Sequence, residues 1–477
     1  MTTPDPRRWQ ALALVCVAMF MTVLDVSIVN VALPSIKTSL HVSDKSLQWV
    51  VTAYAITFGG FLLLGGRAAD LFGRRRIFMV GIGLFSLASL VCGLAGSIGV
   101  LVAARAVQGL GAAMISPATL SIITTTFEEG AERNKALGIW GAMGGSGAAA
   151  GVLFGGILTR YAGWEWIFFV NVPVGALVLA LTRPIVHESR IPGLRGFDVA
   201  GAATITSSLA LLVYGISKAP DVGWASTRTI LFLVAAAVLL AVFVVVERSI
   251  AEPMMPFRIF RIHTVTGANV CGFLLGAVLF SNFFLLTLYV QQVLGYSALQ
   301  AGLTFLATAG ITIPAAGGAQ ALVTRIGVRP VLTIGLALMT GGMVWYSQIP
   351  VHGHFAQDLL PGYLMVGVGL AFSFIPVSIA ALAGVEGHQA GLASGLINTS
   401  QQIGGALGVA IAATVAFTHM KTLLASGHDP ATAQVSGFTL AFWVFAAIGA
   451  VSVIAALVLV RGRELEQAES EVVAAAG

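Results

Sequence analysis

Apolar residues fill this chain in long blocks, and short polar or basic stretches separate them. A helix that crosses a bilayer core needs about 17–25 such residues. Fourteen blocks have that character, at 11–33, 49–66, 77–96, 99–122, 136–158, 166–182, 198–216, 229–247, 264–290, 299–317, 330–347, 358–382, 392–417 and 438–460. The pattern predicts an all-α integral membrane protein with 14 transmembrane helices.

The basic residues test that count. With the N-terminus inside, the inner connections hold 18 of the 25 Lys and Arg residues, including Arg7, Arg8, Arg67, Arg74, Arg75, Arg76 and Arg183. The outer ones hold six, from Lys37 to Lys421, and Arg105 falls within a helix. Inner loops are the basic ones, so both termini are expected in the cytoplasm. A missed or extra span would have scrambled this alternation. The longest connection, 418–437, is too short for a folded soluble domain, and no phosphate-binding Walker loop is present. These absences argue against ATP-driven transport and against a water-facing catalytic domain.

Composition adds little to that picture. The chain is 57% hydrophobic and 9% charged, with mean hydropathy +0.93, whereas soluble domains carry about 25% charged residues. The net charge of +5 is spread singly between apolar blocks, which argues against nucleic acid as a partner. Arg7 and Arg8 open the first block like a signal peptide, but the run to Leu33 exceeds a typical apolar region of about 7–15 residues. A retained first helix is expected. Cys16, Cys92 and Cys271 all lie in apolar blocks and read as small buried hydrophobes. The tail, ELEQAESE at 464–471, is acidic and expected to be disordered.

A faint repeat divides the chain. DLFGRRR (70–76) follows the second block and TRIGVRP (324–330) the tenth. Glycine-rich helices recur as the fifth, GGSGAAAGVLFGG, and the thirteenth, GLASGLINTSQQIGGALG. With the seventh and eighth helices as an inserted pair, the repeats fall in register as six plus two plus six. The expected organisation is an N-terminal bundle (1–196), a two-helix insertion with linkers (197–262), a C-terminal bundle (263–462) and a tail (463–477). Pseudo-symmetric halves around a midplane site are a common transporter plan.

Gly145 to Ala150 match the GxGxxA dinucleotide fingerprint, but that motif needs a preceding strand and a water-facing helix start. Neither is expected here, so no cofactor is implied. Gly147, Gly151 and Gly155 instead recur every four residues and, with Gly156, clear helix faces for close backbone approach. Static packing and sliding of helices both fit that pattern.

Asp25 and Arg105 are the charges placed well inside spans. At 1.5 Å per residue, Asp25 lies about 12 Å below an outer end at Leu33 and Arg105 about 9 Å below one at Gly99. Similar depths on antiparallel helices let them meet. One reading is a fixed pair, since intramembrane charges generally pair. The other is a proton exchanger: water access and the distance to a guanidinium both alter how tightly a carboxylate holds a proton. An ionised Asp25 also attracts a lipophilic cation. Tyr54, Gln108, Asn282, Gln291, Asn398 and Gln402 are polar candidates to line the same cavity, or interhelical hydrogen-bonding groups. Phe283 and Phe284 read as lipid-facing or core, and His352 with His354 lacks the carboxylate that a metal site would need.

Several stretches resemble the fourteen-helix drug:proton antiporter branch of the major facilitator superfamily. LDVSIVNVALP (24–34) is similar to its helix 1 signature, with Asp25 at the acidic position. GRAADLFGRRR (66–76) resembles its loop 2–3 motif through Gly66, Asp70, Gly73, Arg74 and Arg75. LVAARAVQGLGAA (101–113), GSGAAAGVLFGG (145–156) and WEWIFFVNVPVG (164–175) resemble its helix 4, helix 5 and helix 6 motifs. Departures are Val152 for a proline, Glu165 for an arginine, and Thr324 where a second loop acid would stand.

The resemblance implies two six-helix bundles rocking about a central cavity in the inner (cytoplasmic) membrane. It further implies multidrug or metabolite efflux, with antibiotic resistance as a phenotype. Asp25 and Arg105 would couple protons and recognise cations. Asp70 with Arg74 and Arg75 would latch the cytoplasmic side against the start of helix 13, near Ala390–Leu392. The implied partners are small amphipathic or cationic substrates, protons and the lipid bilayer. An uptake symporter on the same fold, or a non-transporting membrane sensor, are the alternatives. Accumulation of substrate in cells would mark the first, and binding without proton flux the second.

Overall fold

The computed structural model describes residues 6–127, 131–190, 198–250, 253, 255, 257–383, 385 and 390–460; side chains at 44, 131, 133–134, 137–138, 141–142, 144–146, 148–149, 390–392 and 394 lie outside that description. The acidic tail falls outside it as well. No strand occurs among the described residues. In lipid each backbone polar group must be satisfied within its own segment, and helices achieve that.

The long helices are α1 (Arg8–Leu40), α2 (Asp44–Phe72), α3 (Arg74–Gly93), α4 (Ile98–Thr126), α5 (Ala131–Tyr161), α6 (Trp166–Ile185, broken at Val170), α7 (Val199–Val222) and α8 (Thr227–Ser249). They continue as α9 (His263–Leu288), α10 (Ala298–Ile326), α11 (Val328–Tyr346), α12 (Leu360–Leu382), α13 (Ala390–Ala425) and α14 (Pro430–Leu459). Thirteen meet the length and hydropathy needed to cross a membrane among the described residues; α5, at 31 residues, fills the remaining position.

Several helices run beyond their apolar blocks, among them α10 to Ile326, α13 to Ala425 and α14 from Pro430, and the end of α1 bears most on the site. Helix α1 continues through Pro34 to Leu40, where His41 at φ 51° ends it. Proline removes one donor but need not stop a membrane helix. Asp25 therefore lies about 22 Å below the end of its helix at 1.5 Å per residue.

The chain forms two compact units. The first holds Met1–Leu211, Val234–Met255 and Ser297–Leu303; the second holds Leu212–Leu233, Pro256–Tyr296 and Thr304–Gly477. The division thus falls within both inserted helices. In the first unit α1 lies along α5, α2 along α4, and α3 along α4 and α6. The α1–α5 contact depends on the absence of side chains. A Cβ at Gly147 would stand 3.1 Å from Phe20 O, one at Gly151 2.6 Å from Leu24 O, and one at Gly155 3.0 Å from Ile28 O. Three successive turns of α5 rest on the backbone of α1, as the four-residue glycine spacing predicts. Gly156 faces another way: its Cβ would fall 2.7 Å from Leu299 Cα, at the start of α10. Val152, at the departed proline position, turns its carbonyl to Gly302.

In the second unit α9 lies along α13, and α11 along α12 and α14. A Cβ at Gly408 would stand 2.5 Å from Ala277 O, which repeats the α5-on-α1 contact. The short connections repeat too. A single glycine with positive φ joins α2 to α3 (Gly73, 110°) and α10 to α11 (Gly327, 85°). Only a residue without Cβ enters that region without strain. The DLFGRRR and TRIGVRP stretches therefore share one turn geometry. Tyr346 and Tyr363 are fully buried in this unit, with ring centroids 6.0 Å apart.

Candidate functional site: a closed ion pair in the first unit

Asp25 on α1 is 0% exposed and Arg105 on α4 is 1% exposed. The structure brings them together, with Arg105 Nη1 donating to Asp25 Oδ2 at 2.5 Å. An isolated charge at this depth is costly, and every lone pair or proton left unmatched adds to that cost. The surroundings are built to match them. Gln108, one turn after Arg105, donates from Nε2 to Asp25 Oδ1 at 2.8 Å and accepts from Arg105 Nη1 at 2.7 Å. Asn171 on α6 donates from Nδ2 to the same Asp25 Oδ1 at 3.1 Å. Ser89 Oγ on α3 accepts from Gln108 at 2.8 Å and from Asn171 at 2.9 Å.

The remaining face of the guanidinium is aromatic. Tyr54 lies beneath it at 4.3 Å and Phe168 at 5.8 Å, while Arg105 Nε donates to Val50 O at 3.0 Å. Such a stack favours a desolvated cation by about 2 kcal/mol. Cys92 Sγ lies 3.8 Å from Gln108 Oε1, its thiol buried as expected. Five helices thus contribute to the cluster around this ion pair, and the carboxylate lies at its centre. Three separate side chains donate to it, and it is fully buried.

Gln108 and Tyr54 join this cluster, though Tyr54 enters by its ring, and its buried hydroxyl has no partner. Asn282, Gln291, Asn398 and Gln402 all belong to the second unit. Asn282 is buried with Oδ1 unpartnered, and Gln402 is buried on α13. Gln291 sits in the turn of π-helix Tyr289–Val293 that extends α9. Phe284 is core, packed edge-on against Phe417, and Phe283 stacks at 5.2 Å on Phe305. Near the exposed His352 and His354, Asp358 accepts the His354 backbone N–H at 2.6 Å.

The connection between α2 and α3 carries a second polar group. Arg74 Nη2 pairs with Asp70 Oδ1 at 2.9 Å, one helical turn away across Gly73. Arg75 does not join them. Its backbone N–H donates to Glu188 Oε1 at 3.1 Å, and the guanidinium nitrogens of Arg75 and Arg76 stand 3.7 Å from Glu188 Oε2. A carboxylate at the first turn of α3 also suits the helix dipole. Gly66, one turn before Asp70, faces Pro117 of α4, which a Cβ would approach to 3.4 Å. The expected seat for Asp70 at Ala390–Leu392 involves side chains outside the described residues.

Sequence reasoning missed Asn171, Ser89 and Glu188. Asn171 stood inside the quoted WEWIFFVNVPVG stretch, the only side-chain amide in that helix and hence a usable signal. Ser89 and Glu188 carried none.

Long apolar helices grouped in two units, with a buried, hydrogen-bonded ion pair deep in one of them, define a polytopic membrane carrier. Comparison with known proteins names the kind: residues 15–409 match the model of the Major Facilitator Superfamily, and the chain belongs to that family. The puromycin resistance protein of Streptomyces alboniger is 38% identical over 468 residues, covering 96% of this chain and 93% of the relative. The cephamycin export protein of Amycolatopsis lactamdurans is 38% identical over 85% of this chain and 84% of its own length. The multidrug resistance protein Stp of Mycobacterium tuberculosis (strain ATCC 25618 / H37Rv) is 38% identical over 86% and 76%. The POT family transporter PepTSo shares the fold at TM-score 0.68 and 14% identity, covering 94% of this chain and 98% of that one. The chain is accordingly a multi-pass membrane protein of transporter type.

Proposed function

We propose that this protein exports small amphipathic or cationic compounds, of the drug or antibiotic class, in exchange for protons. The names of the relatives, which concern puromycin, cephamycin and multiple drugs, support the substrate class. The proposed setting is the cytoplasmic membrane with both termini inside, in keeping with the basic inner connections. Residues 1–196 and 263–462 act as the two bundles, with 197–262 as the inserted pair.

The observation that carries the coupling is Asp25 closed on itself. Its oxygens accept from Arg105, Gln108 and Asn171, so in the closed site the protein itself supplies the partners that a substrate or a proton would otherwise supply. Arg105 serves as a built-in counter-ion. When the site opens to one side, Asp25 parts from Arg105 and takes either a proton or a cationic group. When it closes empty, Arg105 returns. Because either occupant replaces the other at one carboxylate, the two fluxes run in opposite directions. The Asp70–Arg74 pair and the Glu188 clamp on Arg75 and Arg76 hold the α2–α3 connection rigid through that motion, and the glycine face of α5 lets α1 bend with it.

The test uses inverted vesicles with a proton gradient reported by a pH-sensitive dye, and a panel of lipophilic cations and neutral antibiotics. Substrate-dependent collapse of the gradient is expected in the wild type and absent from Asp25→Asn at matched protein amounts. Equal collapse in both would leave an exporter whose coupling lies elsewhere, and substrate uptake with the proton would reverse the direction of transport.

A further inference from the structure

A pair of acids lies buried in the first unit, far along the chain from Asp25. Asp198 immediately precedes α7 and is 5% exposed; Glu247, near the end of α8, is 3% exposed. One oxygen of each has an ordinary role. Asp198 Oδ1 accepts the Gly201 N–H at 2.7 Å and so caps α7, and Glu247 Oε2 accepts the Met255 N–H at 2.9 Å. The other oxygen of each, Asp198 Oδ2 and Glu247 Oε1, is buried with no hydrogen-bond partner. Both orphans converge on Gly201: a Cβ built there would collide with Asp198 Oδ2 and stand 2.8 Å from Glu247 Oε1.

No described ion pair includes either carboxylate. The group facing Glu247 is Asp198 itself. Arg248, next on α8, and Arg190, on the connection entering α7, are exposed. Two anions side by side in a low-dielectric site, with no cation between them among the described residues, are strongly disfavoured. Two orphaned acceptors also cannot satisfy each other. One proton solves both problems, because it removes a charge and turns one orphan into a donor for the other.

We propose that Asp198 and Glu247 share one proton as an acid–carboxylate pair, forming a pH-sensitive clasp between the start of α7 and the connection that leaves α8. The clasp is separate from Asp25, and it does not depend on the transport reading. The proton is held in the folded chain and released by the same groups when they unfold at neutral pH. Folding therefore takes up a proton here, so the clasp supports the fold at low pH and loosens as pH rises. Glu247→Gln mimics the protonated acid permanently and removes that dependence.

Thermal melting of the purified full chain, followed from about pH 5 to pH 9, is the test, with Glu247→Gln and Asp198→Asn beside the wild type. Asparagine still caps a helix, so either variant can carry the result if the other fails to fold. The expected outcome is a wild-type melting temperature that falls by several degrees more across the range than that of either variant. A protonated-carboxyl carbonyl stretch should also be present in the wild-type infrared spectrum and lost from both. Parallel melting curves with an unchanged carbonyl band would overturn the proposal. So would stabilisation of the wild type alone by Na+, K+ or Mg2+ at fixed pH, since the pair would then hold a metal cation.

Discussion

Asp25 and Arg105 do not respond alike to loss of the partner. A carboxyl left alone in a dry site can take a proton and become neutral, and here Gln108 and Asn171 remain to hydrogen-bond it. A guanidinium has no such escape, since it stays charged at any accessible pH. Removing one member of a buried pair costs about 3–5 kcal/mol when the other remains charged. Asp25→Asn is therefore expected to lower thermal stability in detergent by that order, moderated by the Tyr54 ring, whereas Arg105→Gln should cost clearly less. Equal losses would mean that Asp25 stays ionised without Arg105. The deep charges were legible in the sequence because each conflicts with the apolar block around it. Asn171 and Ser89 were not, because a lone polar residue on a membrane helix acquires meaning only from the rotation of its neighbours.

Among the helices, the glycines of α5 separate close packing from open space. A side chain at Gly151 would strike Ser27 Oγ and the Leu24 carbonyl, so Gly151→Val must push α1 away from α5. Gly317 on α10 has no heavy atom within 4 Å of where its Cβ would be. Gly151→Val is expected to destabilise by at least the 1–3 kcal/mol typical of overpacking and to abolish transport. Gly317→Ala should be neutral or gain up to about 1 kcal/mol of helix propensity. Melting temperatures of the two variants decide this, and a tolerated Gly151→Val would mean that the α1–α5 contact is loose. The existence of these helices and the glycine face of α5 could be read from hydrophobic blocks and four-residue spacing. The end of α1 could not, because Pro34 reads as a stop in sequence and is absorbed in place.

For the molecule as a whole, the repeat and its one break matter most. Arg105 stands six residues before Gly111, which packs on Gly81, and Tyr363 stands six before Gly369, which packs on Gly335 in the same way. Asp25 follows Leu24, whose carbonyl meets Gly151; Val278 follows Ala277, whose carbonyl meets Gly408. The second unit thus has valine and tyrosine where the first has its ion pair. Under the proposed mechanism a single carboxylate exchanges one proton for one cation. Export of a monovalent cation should then be electroneutral, with a rate indifferent to a potassium diffusion potential imposed by valinomycin. A rate that tracks the potential would require a further titrating group in the cycle.

The sequence by itself determined the helical segments, the internal repeat, the family resemblance and the two charges that had to be balanced. These are properties of single segments, fixed by how lipid and water treat each residue in turn. The tertiary structure alone decided which side chains meet: Gln108, Asn171 and Ser89 around Asp25, Glu188 on Arg75, and Asp198 beside Glu247. Such partners lie on different helices, and whether they meet depends on the rotation and depth of each one. Those are set by close packing along whole helix faces, which no local stretch encodes.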